Sequence, residues 1–173
     1  MLATLAITAA LVSAAPAAPP PPAHTSTGDC PRATRHAASV REAHTVLCLV
    51  NAARSTRGLK RLQPSAPLGS AARGWARTLV RTRTFSHTGP GSTPMLRMAR
   101  AGYHGRGFGE TIAWGQGRQG TPARIVSEWM DSPPHRAVLL SPLMRDGGVG
   151  VAHGSPVPNA PGGTTVVADL GYR

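Results

Sequence analysis

Aromatic side chains are scarce: Phe, Tyr and Trp together make up 4% of the 173 residues. The core must therefore be aliphatic, and a surface that binds nucleic acid by base stacking is poorly supported. Acids are scarce as well, with 7 Asp+Glu against 19 Lys+Arg and a formal net charge of +12. Each carboxylate can therefore be weighed individually. Only two cysteines are present, Cys30 and Cys48, and they form no CxxC. That argues against a cysteine-built metal or redox site and permits one disulfide, closing a loop of about 18 residues that stabilises by about 3 kcal/mol. The apolar run over residues 2–14 is too short to span a bilayer as a helix. What is plentiful is Gly and Pro, 20 and 17 residues, and 40% of the chain is hydrophobic. Many loops around a real core are expected, and a wholly disordered chain is excluded.

The positive charge is not spread evenly. Residues 31–83 hold Lys60 and ten arginines against the single acid Glu42, whereas residues 84–173 hold eight arginines and five acids. Ahead of this segment, the uncharged run LATLAITAALVSA followed by small residues reads as a secretory signal over residues 1–17, although it lacks a basic start. Residues 18–35 read as a proline-rich spacer whose end is tethered by the cysteines, and 36–173 as the folded domain.

Hydrophobic periodicity makes that domain helix-rich at first and strand-rich at the end. Val40, Ala43, Val46, Leu47, Val50 and Ala53 share one arc of a helix from about His36 to Arg57, stopped by Gly58. A second helix, from about Ala66 to Arg83, places Leu68, Ala72, Trp75 and Leu79 inward and Arg73, Arg77 and Arg81 on the solvent side. Thr93-Pro94, Thr121-Pro122 and Ser132-Pro133 each combine an N-cap with a proline at the first helical position, and so open three short helices. In the first of these, Met95, Leu96 and Met98 are expected to point inward. Strands are expected near Glu110–Trp114, Gly147–Ala152 and Thr164–Leu170.

Glu110 stands out among the acids because it lies between glycines in GFGETIAWG, where little side-chain cover surrounds it. Glu128, Asp131 and Asp169 read as residues of a helix surface, a helix end and the final strand. Of seven histidines, His87 in FSHTGP and His135 in SPPHRAVL have defined contexts. Imidazoles serve metal coordination or proton transfer near neutral pH. His24, His36, His44, His104 and His153 read as surface residues. Ser86 is the one serine placed beside such a histidine, but it reads as a turn residue, and no G-x-S-x-G elbow accompanies it.

The succession LCLVNAARSTRGLKRLQ, FSHTGP, GETIAWG, IVSEWMDSPPHRAVLLSP, GVGVA and VVADLG resembles a CAP domain, the superfamily of cysteine-rich secretory proteins, antigen 5 and plant pathogenesis-related proteins, in its short secreted bacterial branch. The resemblance runs over about residues 38–172. It implies an α+β fold, a three-layer α-β-α sandwich with a small antiparallel sheet, and a central cleft lined by His87, Glu110 and His135. A second cleft Glu of the animal and plant members falls here on Ser132, so four residues become three. Pro134 and Val138 also depart from the bacterial pattern SPGHRxNIL, and Thr111 departs from GEN.

Two imidazoles and one carboxylate suit Zn²⁺ or another divalent cation, with water completing the shell. The resemblance implies a binding or effector module without agreed catalysis, and the chain is expected to be extracellular and monomeric. A metal- or His/Glu-dependent hydrolase is the alternative. A third reading takes Arg73, Arg77 and Arg81 as contacts for an anionic cell-wall polymer, with lipid or sterol as further partners, and disfavours nucleic acid.

Overall fold

The structure, a computed structural model, describes Cys30 and residues 38–173. The expectations of a signal peptide over 1–17 and of a spacer over 18–35 concern residues outside this set, Cys30 apart, as do His24 and His36. Helix α1 spans Ala38–Ser55, and β1 is the two-residue strand Gln63–Pro64. Helices α2 (Ala66–Thr82) and α3 (Pro94–Arg100) precede β2 (Gly107–Gly115). A 3-10 turn over Gly117–Gly120 leads to α4 (Pro122–Asp131) and α5 (Pro133–Leu139), and β3 (Asp146–His153) and β4 (Thr164–Tyr172) close the domain.

The strands lie in the order β1-β3-β4-β2. β3 and β2 flank β4 antiparallel, with Gly148 and Glu110 both opposite Asp169. The expectation of an antiparallel sheet is corrected at one edge, where β1 pairs parallel with β3 through Gln63–Asp146 and Pro64–Gly147. The two strands are connected through the helices, and a crossover of that length permits parallel pairing.

Residues alternate across β4 and divide the core. Val166, Ala168 and Leu170 pack with Val46 and Val50 of α1, Ile125 and Trp129 of α4, and Leu139 of α5. On the other face Val167 and Ile112 meet Ala72, Trp75, Ala76 and Leu79 of α2. Leu68 and Ala71 of α2 form a third cluster with Met98 and Tyr103. Helices therefore cover both faces, giving the three layers expected. α2 lies so close to β3 that a Cβ at Gly148 would enter the backbone of Leu68 and Gly69, and one at Gly150 that of Ala72 and Arg73. Glycine at these two positions sets the approach of the layer that carries Trp75.

The caps explain the helix starts only in part. Ser65 and Thr93 accept from the amides of Leu68 and Leu96, as N-caps do. Thr121 and Ser132 hold the N-cap positions without side-chain caps: the Thr121 hydroxyl donates to the Arg118 carbonyl, and Ser132 Oγ faces His135. α3 departs from expectation, because Met98 alone is buried while Met95 and Leu96 are 53% and 39% exposed. A helix of seven residues completes barely two turns and presents a single position to the core.

Arg54 is fully buried. Its Nε donates to the Lys60 carbonyl at 2.9 Å, Nη1 to Leu139 (2.6 Å) and Ser141 (3.1 Å), and Nη2 to Met144 (3.1 Å). One guanidinium thus ties the end of α1 to the α5–β3 connection. Burial first, and the charge of Arg145 second, lower its pKa. Asn51, one turn earlier, holds Leu62 through both its amide groups. Cys30 and Cys48 form the expected disulfide, joining the preceding segment to α1.

Candidate functional site

β2 is an edge strand, so its first half borders the loops around the sheet. Glu110 sits there on the α2 face, yet its side chain is only 2% exposed. Its Oε1 lies 2.8 Å from His87 Nδ1, and its Oε2 2.5 Å from Arg97 Nη2. With Glu110 ionised and the ring neutral, the donor in this contact is His87 Nδ1, and Nε2 keeps its lone pair on a ring that is 49% exposed.

His87 belongs to the loop after α2. Trp75 Nε1 holds that loop by donating to the Ser86 carbonyl at 3.1 Å. Arg97, from α3, lies 3.8 Å over the Trp75 ring and also donates to the His87 carbonyl (3.1 Å) and to Ser92 Oγ (3.2 Å). One cation thus holds the loop, the carboxylate and the indole together. Ser86 Oγ accepts from the Thr88 amide, the turn role expected for it.

His135 comes from α5, in the other helical layer. Its Nδ1 is 2.8 Å from Ser132 Oγ, where the hydroxyl can donate or accept. Burial first, and the nearby His87 second, hold the His135 pKa below the usual imidazole value, so this ring favours its neutral form. His87 and Glu110 are thus in direct contact, whereas the hydrogen bond of His135 runs to Ser132 of its own helix start. Among the described residues, no group of three or more His, Cys, Asp or Glu is arranged to hold a metal ion. Arg73 is half-buried and Arg77 and Arg81 are exposed along α2, on its solvent side as expected.

Asp169, taken from sequence as an ordinary residue of the last strand, lies directly opposite Glu110 and is fully buried. Among the described residues, neither of its oxygens meets a donor. Burial foremost, then repulsion by Glu110, raise its pKa well above the carboxylate range, with Arg97 opposing. Burial disfavours the ionised form, so Asp169 favours the protonated, neutral carboxyl. Because the folded state then binds the proton more tightly than the unfolded chain, stability falls as pH rises from the ordinary carboxylate range to the folded-state pKa. Asp169→Asn is expected to remove this decline, which approaches about 1.4 kcal/mol per pH unit inside the window. Urea unfolding of both proteins across pH should show their stabilities diverging as pH rises, and parallel curves would refute the assignment.

Arg97 and Trp75 were likewise not identified as site residues from sequence. The one available signal was an acid in VVADLG among residues that alternation buries. Nothing in PMLRMAR marks Arg97.

The family described as CAP, the cysteine-rich secretory protein family, matches residues 47–169. The chain is 36% identical over 106 residues to the uncharacterized protein YkwD of Bacillus subtilis (strain 168), covering 61% of this chain and 40% of that protein. It is similar in structure to an extracellular protein containing an SCP domain from Bacillus anthracis, with a TM-score of 0.67 and 21% identity over 78% of this chain and 41% of that one. It also resembles an outer surface protein of Borrelia burgdorferi, with a TM-score of 0.61 and 24% identity over 74% and 90% of the two chains. These two structures share the fold, and the chain spans less than half the length of YkwD and of the B. anthracis protein. Four strands between helical layers, a His87–Glu110 pair at the sheet edge and the match over residues 47–169 lead to one assignment: the chain belongs to the CAP family.

Proposed function

We propose that this chain is a secreted, non-catalytic binding module whose cleft takes a divalent cation such as Zn²⁺ on the imidazoles of His87 and His135. The observation that supports the reading most is the commitment of Glu110 to His87 Nδ1 and Arg97. A histidine that ligates a metal through one nitrogen characteristically donates its other N–H to a carboxylate, which fixes its tautomer and orientation. Glu110 therefore stands behind His87 as its positioning residue rather than beside it as a third ligand. His135, kept neutral by burial, contributes a second lone pair when its Nδ1–H donates to Ser132. A cation held this way would keep positions open for water or for a ligand donor.

The hydrolase alternative draws on the Ser132–His135 contact, since a nucleophile and base must lie within hydrogen-bond reach. Ser132 lies three residues before His135 in a single helix start, an arrangement that also orients an imidazole without chemistry. Calorimetric titration of Zn²⁺ into the full chain separates the readings. Saturable heat that disappears in His87→Ala and His135→Ala is expected. Equal heats from wild type and both variants would remove the metal reading, and labelling of Ser132 by a fluorophosphonate probe would remove the non-catalytic one.

A further inference from the structure

The chain leaving α3 turns back toward the methionines of that helix. Gly102 takes a positive φ of 88°, and the Tyr103 amide donates to the Met98 carbonyl at 2.9 Å, the glycine-bearing stop common at helix ends. Tyr103 is thereby buried, and its hydroxyl donates to Asp146 Oδ2 at 2.9 Å. Gly105 then passes so close that a Cβ there would collide with the Tyr103 ring and the Tyr172 carbonyl oxygen. These contacts on both sides fix the position of His104. The outcome is a cavity of about 310 Å³, bordered by Met95 and Met98 of α3, by His104, and by Tyr103 and Phe108. That volume is at the low end for small-molecule sites and suits an ion or a very small group.

Two thioethers and one imidazole border this cavity, and among the described residues no carboxylate does. Ca²⁺ and Mg²⁺ take oxygen ligands and Zn²⁺ takes thiolates, imidazoles and carboxylates, whereas thioethers select Cu(I). Charge argues the same way. Arg100 and Arg106, exposed just before and after this turn, repel a monovalent ion about half as strongly as a divalent one at the same place. Met95 and Met98 are three residues apart and so share one face of α3. Met95 is also largely exposed, and an unbranched thioether side chain adapts readily to a bound ion. We infer that the cavity between α3 and the loop before β2 is a Cu(I) site, with Met95, Met98 and His104 as its ligands. Tyr103 and Phe108 form walls that limit access of solvent to the ion. No electron is transferred, because the ion enters and remains as Cu(I). The site shares no residue with the imidazole face of His87 and His135.

The test supplies Cu(I) without oxygen, as its bicinchoninate complex in excess ascorbate, to the full chain carrying ¹³C on its methionine methyl groups. The His87→Ala, His135→Ala variant serves as the parent, so that imidazoles of the other face take no ion. One equivalent of Cu(I) should leave the chelator, and the methyl signals of Met95 and Met98 should shift while those of Met130 and Met144 stay. Adding Met95→Leu, Met98→Leu or His104→Ala should each weaken uptake at least about tenfold, a loss usual even for residues that stand behind a metal ligand. Leucine nearly conserves the volume of methionine, so the change at the buried Met98 should leave the protein folded. Zn²⁺ should move neither methyl signal. The proposal is overturned if Cu(I) leaves the Met95 and Met98 signals unmoved, if any of the three folded variants takes up Cu(I) as well as the parent, or if Zn²⁺ shifts the same signals. None of these outcomes depends on whether wild type binds Zn²⁺ at His87 and His135.

Discussion

Arg97→Met is expected to lower the free energy of unfolding by about 3–5 kcal/mol, the usual cost of removing one partner from a buried ion pair. The loss has a specific origin. Glu110 is almost completely shielded from solvent, and its Oε2 depends on Arg97. With methionine in place, that carboxylate stays buried beside Asp169, which already needs a proton to be accommodated. Three further interactions disappear: the contact over Trp75 and the hydrogen bonds to the His87 carbonyl and Ser92. Arg97→Lys should recover only part of the loss, because an ammonium lacks the planar fork that reaches these acceptors while lying on the indole. The Arg97→Met, Glu110→Gln double variant should be more stable than Arg97→Met alone, since the buried charge is gone. Chemical unfolding of all three proteins is the measurement. A single variant within 1 kcal/mol of wild type, on the order of an exposed pair, would mean that Arg97 does not organise the site.

Arg54→Met is expected to cost a similar amount, about 3–5 kcal/mol, by a different route. Arg54 faces four carbonyls rather than a carboxylate, those of Lys60, Leu139, Ser141 and Met144. Methionine fills much of the volume but donates nothing, so several buried oxygens lose a partner at about 1–3 kcal/mol each before relaxation. Arg54→Lys should also be costly, because three donors on one nitrogen cannot span acceptors on both sides of the α5–β3 connection. Because that connection follows α5 directly, the variant should perturb the NMR signals of His135 more than those of His87. Equal perturbation of both rings would show that Arg54 supports the core generally rather than this connection.

These two arginines mark what the sequence hides. The helical stripe of α2, the three main strands and the pairing of Cys30 with Cys48 follow from period, turn residues and cysteine count, because burial of one face imposes that pattern directly. His87 and Glu110 were legible because their surroundings are unusual for surface residues. Arg54 was not, since an arginine among RSTRGLK looks solvated until the loop after α5 folds over it. Asp169 and Arg97 were invisible for a related reason. Their roles depend on residues opposite them across strands or layers, Glu110 and Trp75, and that information exists only once register and packing are fixed. The two-residue strand β1 escaped because a segment this short carries no period.

The central claim is that Glu110 orients His87 so that Nε2 faces outward, and that His87 and His135 together form the binding face. Long-range nitrogen–proton NMR of the imidazole rings, at a pH where both are neutral, tests it most directly because it reads which ring nitrogen carries the proton. The account predicts that His87 carries its proton on Nδ1 and has a bare Nε2, and that added Zn²⁺ shifts the Nε2 resonances of both His87 and His135. A proton on His87 Nε2, or Zn²⁺ that leaves both resonances unmoved, would contradict it.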